Sequence, residues 1–143
     1  MNSIPDCPAL RVFLVDAAVS VRRRMAALFG TLDGVEIVGE AEEPLAALAG
    51  IEARTADLVV TEWQLSGGTG VELLASLAQS MPHVIVIVLT NHASAWFRRA
   101  CLTGGAHLFF DKTREFDLAL NTIQRIAREH RTRALIQPGA DHV

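Results

Sequence analysis

The chain has only two cysteines, and Cys7 and Cys101 stand too far apart for a paired metal-ligand motif. So few thiols argue against a disulfide framework and read as reduced cysteines of a cytoplasmic protein. No apolar run approaches the ~18 residues that suggest a membrane span. Pro5 and Asp6 sit where a signal peptide would carry its basic and apolar blocks. Basic residues are not in excess, since the net charge is -3 and the pI about 5.9. That balance gives no general footprint for nucleic acid. His83, His92, His107, His130 and His142 are too scattered to imply a metal site. The run Ser66-Gly67-Gly68-Thr69-Gly70 lacks the Gly-Lys-Ser/Thr ending of a phosphate loop. There is no dinucleotide fingerprint, nucleophile–base pair, internal repeat or low-complexity stretch.

What remains is a chain of 143 residues, half of them hydrophobic, enough for one domain with a sizeable core. Short β-branched runs alternate with amphipathic stretches. Strands are expected at Val12–Val15, Val35–Glu40, Leu58–Thr61, Val84–Leu89 and Ala106–Phe110. The first helix places Val21, Met25, Leu28, Phe29 and Leu32 on one face, with Arg22, Arg23 and Arg24 largely on the other. The second starts at Pro44 and carries Leu45, Leu48 and Ile51. The third carries Val71, Leu74, Leu77 and Ala78. The fourth covers roughly Ala93 to Leu102. The last sets Phe116, Ala119, Leu120, Ile123, Ile126 and Ala127 at helical spacing, with Arg125, Arg128 and Arg131 outside. Gln137-Pro138-Gly139 is expected to end order. The organisation expected is an N-terminal extension over 1–9, a domain over 10–131 and a tail over 132–143.

Strands alternating with helices imply an α/β fold, a parallel sheet covered on both faces. Right-handed crossovers favour the doubly wound, flavodoxin-like (βα)5 order 2-1-3-4-5. Ligands of such sheets bind outside the carboxyl ends of the strands. Four polar residues fall there: Asp16 after the first strand, Glu62 after the third, Thr90 at the end of the fourth and Lys112 after the fifth.

An acid, an acid, a hydroxyl and an amine at four strand ends, in that order, resemble the receiver domain of two-component response regulators. The resemblance spans about Leu10 to Ile126. It implies that two adjacent acids after the first strand help bind Mg²⁺, that an Asp after the third accepts a phosphoryl group, and that the Thr and Lys hold its oxygens. Here Asp16 matches the first acid and Ala17 replaces the second. Glu62 replaces the acceptor, while Thr90 and Lys112 are kept. Phe109 matches the family's aromatic switch position, with ordinary core packing as the plainer role.

Both departures bear on phosphoryl transfer. Glu extends the carboxylate by ~1.5 Å, and misplacement by ~1 Å can cost about a hundredfold in rate. Losing the second acid removes a hard oxygen ligand, so Mg²⁺ would lean weakly on Asp16 and Glu62. With two carboxylates facing one lysine, repulsion in the pocket falls. Glu62 is then expected to reach toward Lys112 and Thr90, placing charge where a phosphoryl group would sit. Drift at an abandoned site is the plainer alternative. For Asp16 the alternative to metal binding is capping of nearby backbone amides.

The function expected is a stand-alone, degenerate receiver acting by protein–protein contact without orthodox phosphorylation. Its partner would be a histidine kinase, another signalling protein or a second copy, not nucleic acid or membrane. No catalysis and no cofactor beyond weakly held Mg²⁺ are expected. Trp96, Arg98, Arg99, Arg125 and Arg128 are the interface candidates, against the plainer reading of a solvated basic face. Two alternatives stay open: slow Mg²⁺-dependent phosphate acceptance on Glu62, and a flavodoxin-like enzyme or nucleotide binder using the same crevice.

Overall fold

The computed structural model describes residues 8–136. The two ends, with Cys7 and the expected stop at Gln137-Pro138-Gly139, lie outside the described residues. Five parallel strands form the sheet: β1 (Leu10–Val15), β2 (Val35–Ala41), β3 (Leu58–Thr61), β6 (Ile85–Thr90) and β7 (Leu108–Asp111). Their order is β2-β1-β3-β6-β7, the flavodoxin-like arrangement expected from the alternation. Two short strands, β4 (Gln64–Leu65) and β5 (Gly68–Thr69), pair antiparallel after β3. The turn and second strand of this hairpin fall within the glycine-rich run Ser66-Gly67-Gly68-Thr69-Gly70.

Side-chain alternation divides the core. Val12 and Leu14 of β1, Leu58 and Val60 of β3, and Ile87 and Leu89 of β6 turn to one face. There they meet Met25 and Phe29 of α1 (Val19–Phe29) and Ala119, Ile123 and Ala127 of α5 (Phe116–Ile136). Phe13, Val15, Val59, Val86 and Val88 turn the other way. They meet α2 (Pro44–Ala53), α3 (Gly70–Ser80) and α4 (Ala95–Thr103). Because helices cover both faces, β3 is buried at every position. Burying one such large aliphatic side chain contributes about 1.5–3 kcal/mol.

The helix faces differ in phase from the sequence reading. α3 buries Gly70, Leu73, Leu74 and Leu77, an i, i+3, i+4, i+7 stripe. Val71 and Ala78 fall one step off it and are exposed. α1 buries Met25 and Phe29, leaving Leu28 at the surface. α2 buries Ala47 and Ile51, and Leu45 stands 77% exposed. Arg22 shares the Met25–Phe29 stripe and is turned in rather than out. α4 starts two residues later than expected, because the Ser94 side chain caps it by accepting from the Phe97 amide. α5 runs past residue 131 to Ile136, beyond the expected domain limit.

Phe13 shapes the sheet's outer half. A β-carbon at Gly39 or at Gly50 would meet its ring at 2.6 Å. The β1–β2 register shifts between Val12 and Phe13, beside this contact. The strand order reverses between β1 and β3, so the crevice there opens above the carboxyl ends of those strands.

Candidate functional site

Each polar residue of the crevice is placed by the strand that precedes it. Asp16 follows β1 and its amide donates to Ala41 O at 3.1 Å. Glu62 follows β3 and its amide donates to Val15 O at 2.9 Å. Thr90 ends β6, and Lys112 follows β7 with its amide on Thr90 O at 2.8 Å. The parallel ladder therefore delivers all four to one rim. Asp16, Glu62 and Lys112 border a cleft of about 470 Å³ that Ala17, Gln64, Ser66, Asn91 and His92 also line, with Thr90 buried behind it.

Lys112 is the centre of the site. Its Nζ donates to Asp16 Oδ2 at 2.8 Å and to Glu62 Oε1 at 2.7 Å. The three side chains are 16%, 4% and 13% exposed, so the pairs are well shielded from water. Burial alone would lower the Lys112 pKa. The hydrogen bonds and charges of Asp16 and Glu62 override it and hold the amine above its ordinary value. Lys112 is also the chain's sole lysine, every other strong base being arginine.

The remaining valences are largely filled from within. Asp16 Oδ1 accepts from the Ala18 amide at 2.9 Å, closing the turn into α1. Glu62 Oε2 accepts from the Trp63 amide at 2.6 Å. Glu62 thus reaches Lys112 but makes no hydrogen bond to Thr90 among the described residues. The buried Thr90 hydroxyl oxygen accepts from the His92 amide at 3.2 Å. Across the rim, the Thr113 hydroxyl donates to Asn91 Oδ1 at 2.7 Å. In the loop behind Glu62, Gly67 has φ +72, which a side chain would strain. A β-carbon at Gly70 would stand 2.8 Å from Glu62 O.

Arg22 belongs to the site and was missed in the sequence. It donates from Nη1 to Asp16 O and from Nε to Glu40 Oε1 at 2.9 Å. The signal was available: Arg22, Met25 and Phe29 lie at i, i+3 and i+7, one helical stripe. Arg22 thus ties the Asp16 backbone to Glu40, while Lys112 supplies the counter-charge to the two pocket acids.

This donor set does not suit Mg²⁺. Asp16 and Glu62 both point at an ammonium, and Ala17 supplies no oxygen ligand beyond its backbone. Among the described residues, no three His, Cys, Asp or Glu side chains gather closely enough to hold a metal ion.

Phe109 is buried, and its ring meets Phe97 at a centroid distance of 6.0 Å. Phe97 in turn meets Trp63 edge-on at 4.2 Å. Of the interface candidates, Trp96 is 70% exposed, and Arg99, Arg125 and Arg128 are exposed. Arg98 differs. It is half-buried and turned onto Phe109 O and Glu115 instead of solvent. Cys101 is a buried free thiol; burial and then the Glu62 charge push its pKa up to about 11. No helix among the described residues is long and apolar enough to cross a membrane.

Comparison with known proteins agrees with this fold. Residues 12–124 match the family described as Response regulator receiver domain. The DNA-binding transcriptional activator DevR/DosR of Mycobacterium tuberculosis is 35% identical over 85 residues, 59% of this chain and 39% of that protein. The transcriptional regulatory protein YhcZ of Bacillus subtilis is 28% identical over 129 residues, 90% of this chain and 60% of that protein. This chain thus spans between two fifths and three fifths of these relatives. Among solved structures, the NarL signal receiver domain of Mycobacterium tuberculosis superposes with a TM-score of 0.77 at 21% identity, covering 85% of this chain and 98% of that one. At that identity the likeness speaks for the fold alone.

Proposed function

Because the chain belongs to the response regulator receiver domains of two-component signalling, we propose that it is a degenerate receiver whose pocket is held in one charge state by its own lysine. The observation that carries this is the Lys112 bridge to Asp16 and Glu62. In the family pattern the lysine donates to a phosphoryl oxygen. Here Glu62, at the acceptor position, already supplies the anion. A competing phosphoryl group would have to displace a charge-assisted hydrogen bond in a shielded site. Mg²⁺ would have to displace the ammonium.

The domain then acts by presenting a fixed surface to a protein partner, a kinase or other signalling protein or a second copy. Trp96, Arg99, Arg125 and Arg128 supply exposed aromatic and guanidinium groups suited to such contacts. DNA binding is in the name of one relative, of which this chain spans 39%. A low pI therefore does not exclude nucleic acid from the system in which the domain works.

Intact-mass measurement after incubation with acetyl phosphate and Mg²⁺ tests the proposal. No phosphoryl adduct should form at times that saturate an ordinary receiver. Trp63 fluorescence should stay flat on adding Mg²⁺ and then beryllofluoride, with Trp63→Phe as control. A stable adduct that Glu62→Gln abolishes would overturn the proposal and restore slow phosphate acceptance.

A further inference from the structure

β7 is an edge strand, bonded to β6 on one side only. Its other side should leave amides and carbonyls open to a foreign strand. Two of those groups are covered by side chains. Arg98 Nη1 donates to Phe109 O at 3.0 Å, and Glu115 Oε1 accepts from the Asp111 amide at 2.8 Å. The covers are tied together, because Arg98 Nη2 donates to that same Glu115 Oε1 at 3.0 Å. The Glu115 amide donates to Asp111 O at 2.8 Å, which fixes the first turn of α5 to the strand.

The same guanidinium lies over the Phe109 ring, 4.8 Å from its centroid. A cation over an aromatic face is attracted by the ring's negative face. Phe109 is therefore held between Arg98 outside and Phe97 inside. One side chain of α4 thus bonds the strand's backbone, stacks on its aromatic ring and pairs with the start of α5.

We propose that Arg98 is a latch: it pins Phe109 inward and, with Glu115, closes the free edge of β7, so that α4, β7 and α5 keep one arrangement. Arginine suits this role because its planar fork donates in two directions while its face stacks. Lysine has neither the planar fork nor the flat face. The backbone amide of Asp111 and then the Arg98 side chain also hold the Glu115 carboxyl below its usual range. The latch deepens the fixed-surface reading above by naming what fixes the surface. It is a statement about three packed elements and needs no phosphodonor.

Hydrogen–deuterium exchange on the full chain, without Mg²⁺ or phosphodonor, tests it. In Arg98→Ala, peptides covering Leu108–Asp111 and Ala95–Thr103 should exchange about fivefold faster or more. Leu10–Val15 and Leu58–Thr61 should keep wild-type rates. Arg98→Lys retains the charge and the stem, guards against a variant that fails to fold, and should release the same two segments. Arg99→Ala, one position along the helix, should change neither. Wild-type exchange of β7 in both Arg98 variants would overturn the latch. So would uniform acceleration of every strand, which would mark a general loss of stability. Because donor and metal are absent, this result and the intact-mass result can fail independently.

Discussion

Replacing Lys112 by methionine keeps an unbranched side chain, one atom shorter, and removes its charge. Asp16 and Glu62 would then face each other with no cation between them. Their bridged oxygens lie 2.8 and 2.7 Å from Nζ, so they can be no further apart than those contacts laid end to end. Two unit charges about 5 Å apart repel by about 3 kcal/mol at an effective dielectric of 20. Breaking a buried ion pair from one side typically costs 3–5 kcal/mol, in the same range. Lys112→Met should therefore lose about 3 kcal/mol in urea unfolding at pH 7, with an unchanged m-value. Glu62→Gln leaves the Asp16–Lys112 pair in place and should lose only about 1 kcal/mol. The double variant Lys112→Met/Glu62→Gln should recover much of the loss, since one acid no longer meets another. Millimolar Mg²⁺ should stabilise Lys112→Met and leave the wild type unmoved, because only the variant offers two carboxylates without a resident cation. A Lys112→Met protein within about 0.5 kcal/mol of wild type, a typical neutral surface change, would refute the reasoning. So would Glu62→Gln costing as much as Lys112→Met.

Other outcomes follow from the same geometry. The Lys112 pKa is raised in the folded protein, so its stabilisation is complete below the ordinary lysine value of 10.5 and fades as pH climbs through the higher folded value; thermal melts should stay level through neutral pH and drop only at strongly alkaline pH. Acetic anhydride at pH 8 should acylate the amino terminus and spare Lys112 until the protein is unfolded, as peptide mass mapping would show. Gly70→Ala forces a β-carbon to 2.8 Å from Glu62 O; it should cost about 1–3 kcal/mol by overpacking and shift Trp63 emission. Cys101, with its pKa near 11 and its side chain buried, should resist thiol reagents at pH 8 until denaturant is added.

Much of the architecture was legible because each strand's two faces meet different helices, so long β-branched runs had to be interior strands. The four strand-end residues were legible because a parallel ladder brings carboxyl ends to one rim whatever the loops do. Helix phase was harder. Leu28 and Val71 are apolar but lie about 100° from their buried stripes, and Leu45 lies further round still; single-residue hydrophobicity cannot separate them from Phe29 or Leu73. The β4–β5 hairpin has only two residues per strand, too few to show an alternation. The charged residues misled most. Arg22 and Arg98 look like surface arginines by type, yet each spends its fork on backbone carbonyls and a carboxylate. Their partners lie on other elements, 6 to 18 residues away, and only the place of Arg22 on the Met25–Phe29 stripe was there to be read locally.

That the chain's one lysine is spent inside the pocket leaves a surface with no side-chain amine. All its strong positive charge is guanidinium, which stays protonated across the whole biological pH range. Lysine acetylation, which erases charge elsewhere, has no exposed target here. Any control over the basic face must act by changing what faces it, by covering it or by adding negative charge beside it. The surface keeps its sign when the acetylation state of the cell changes.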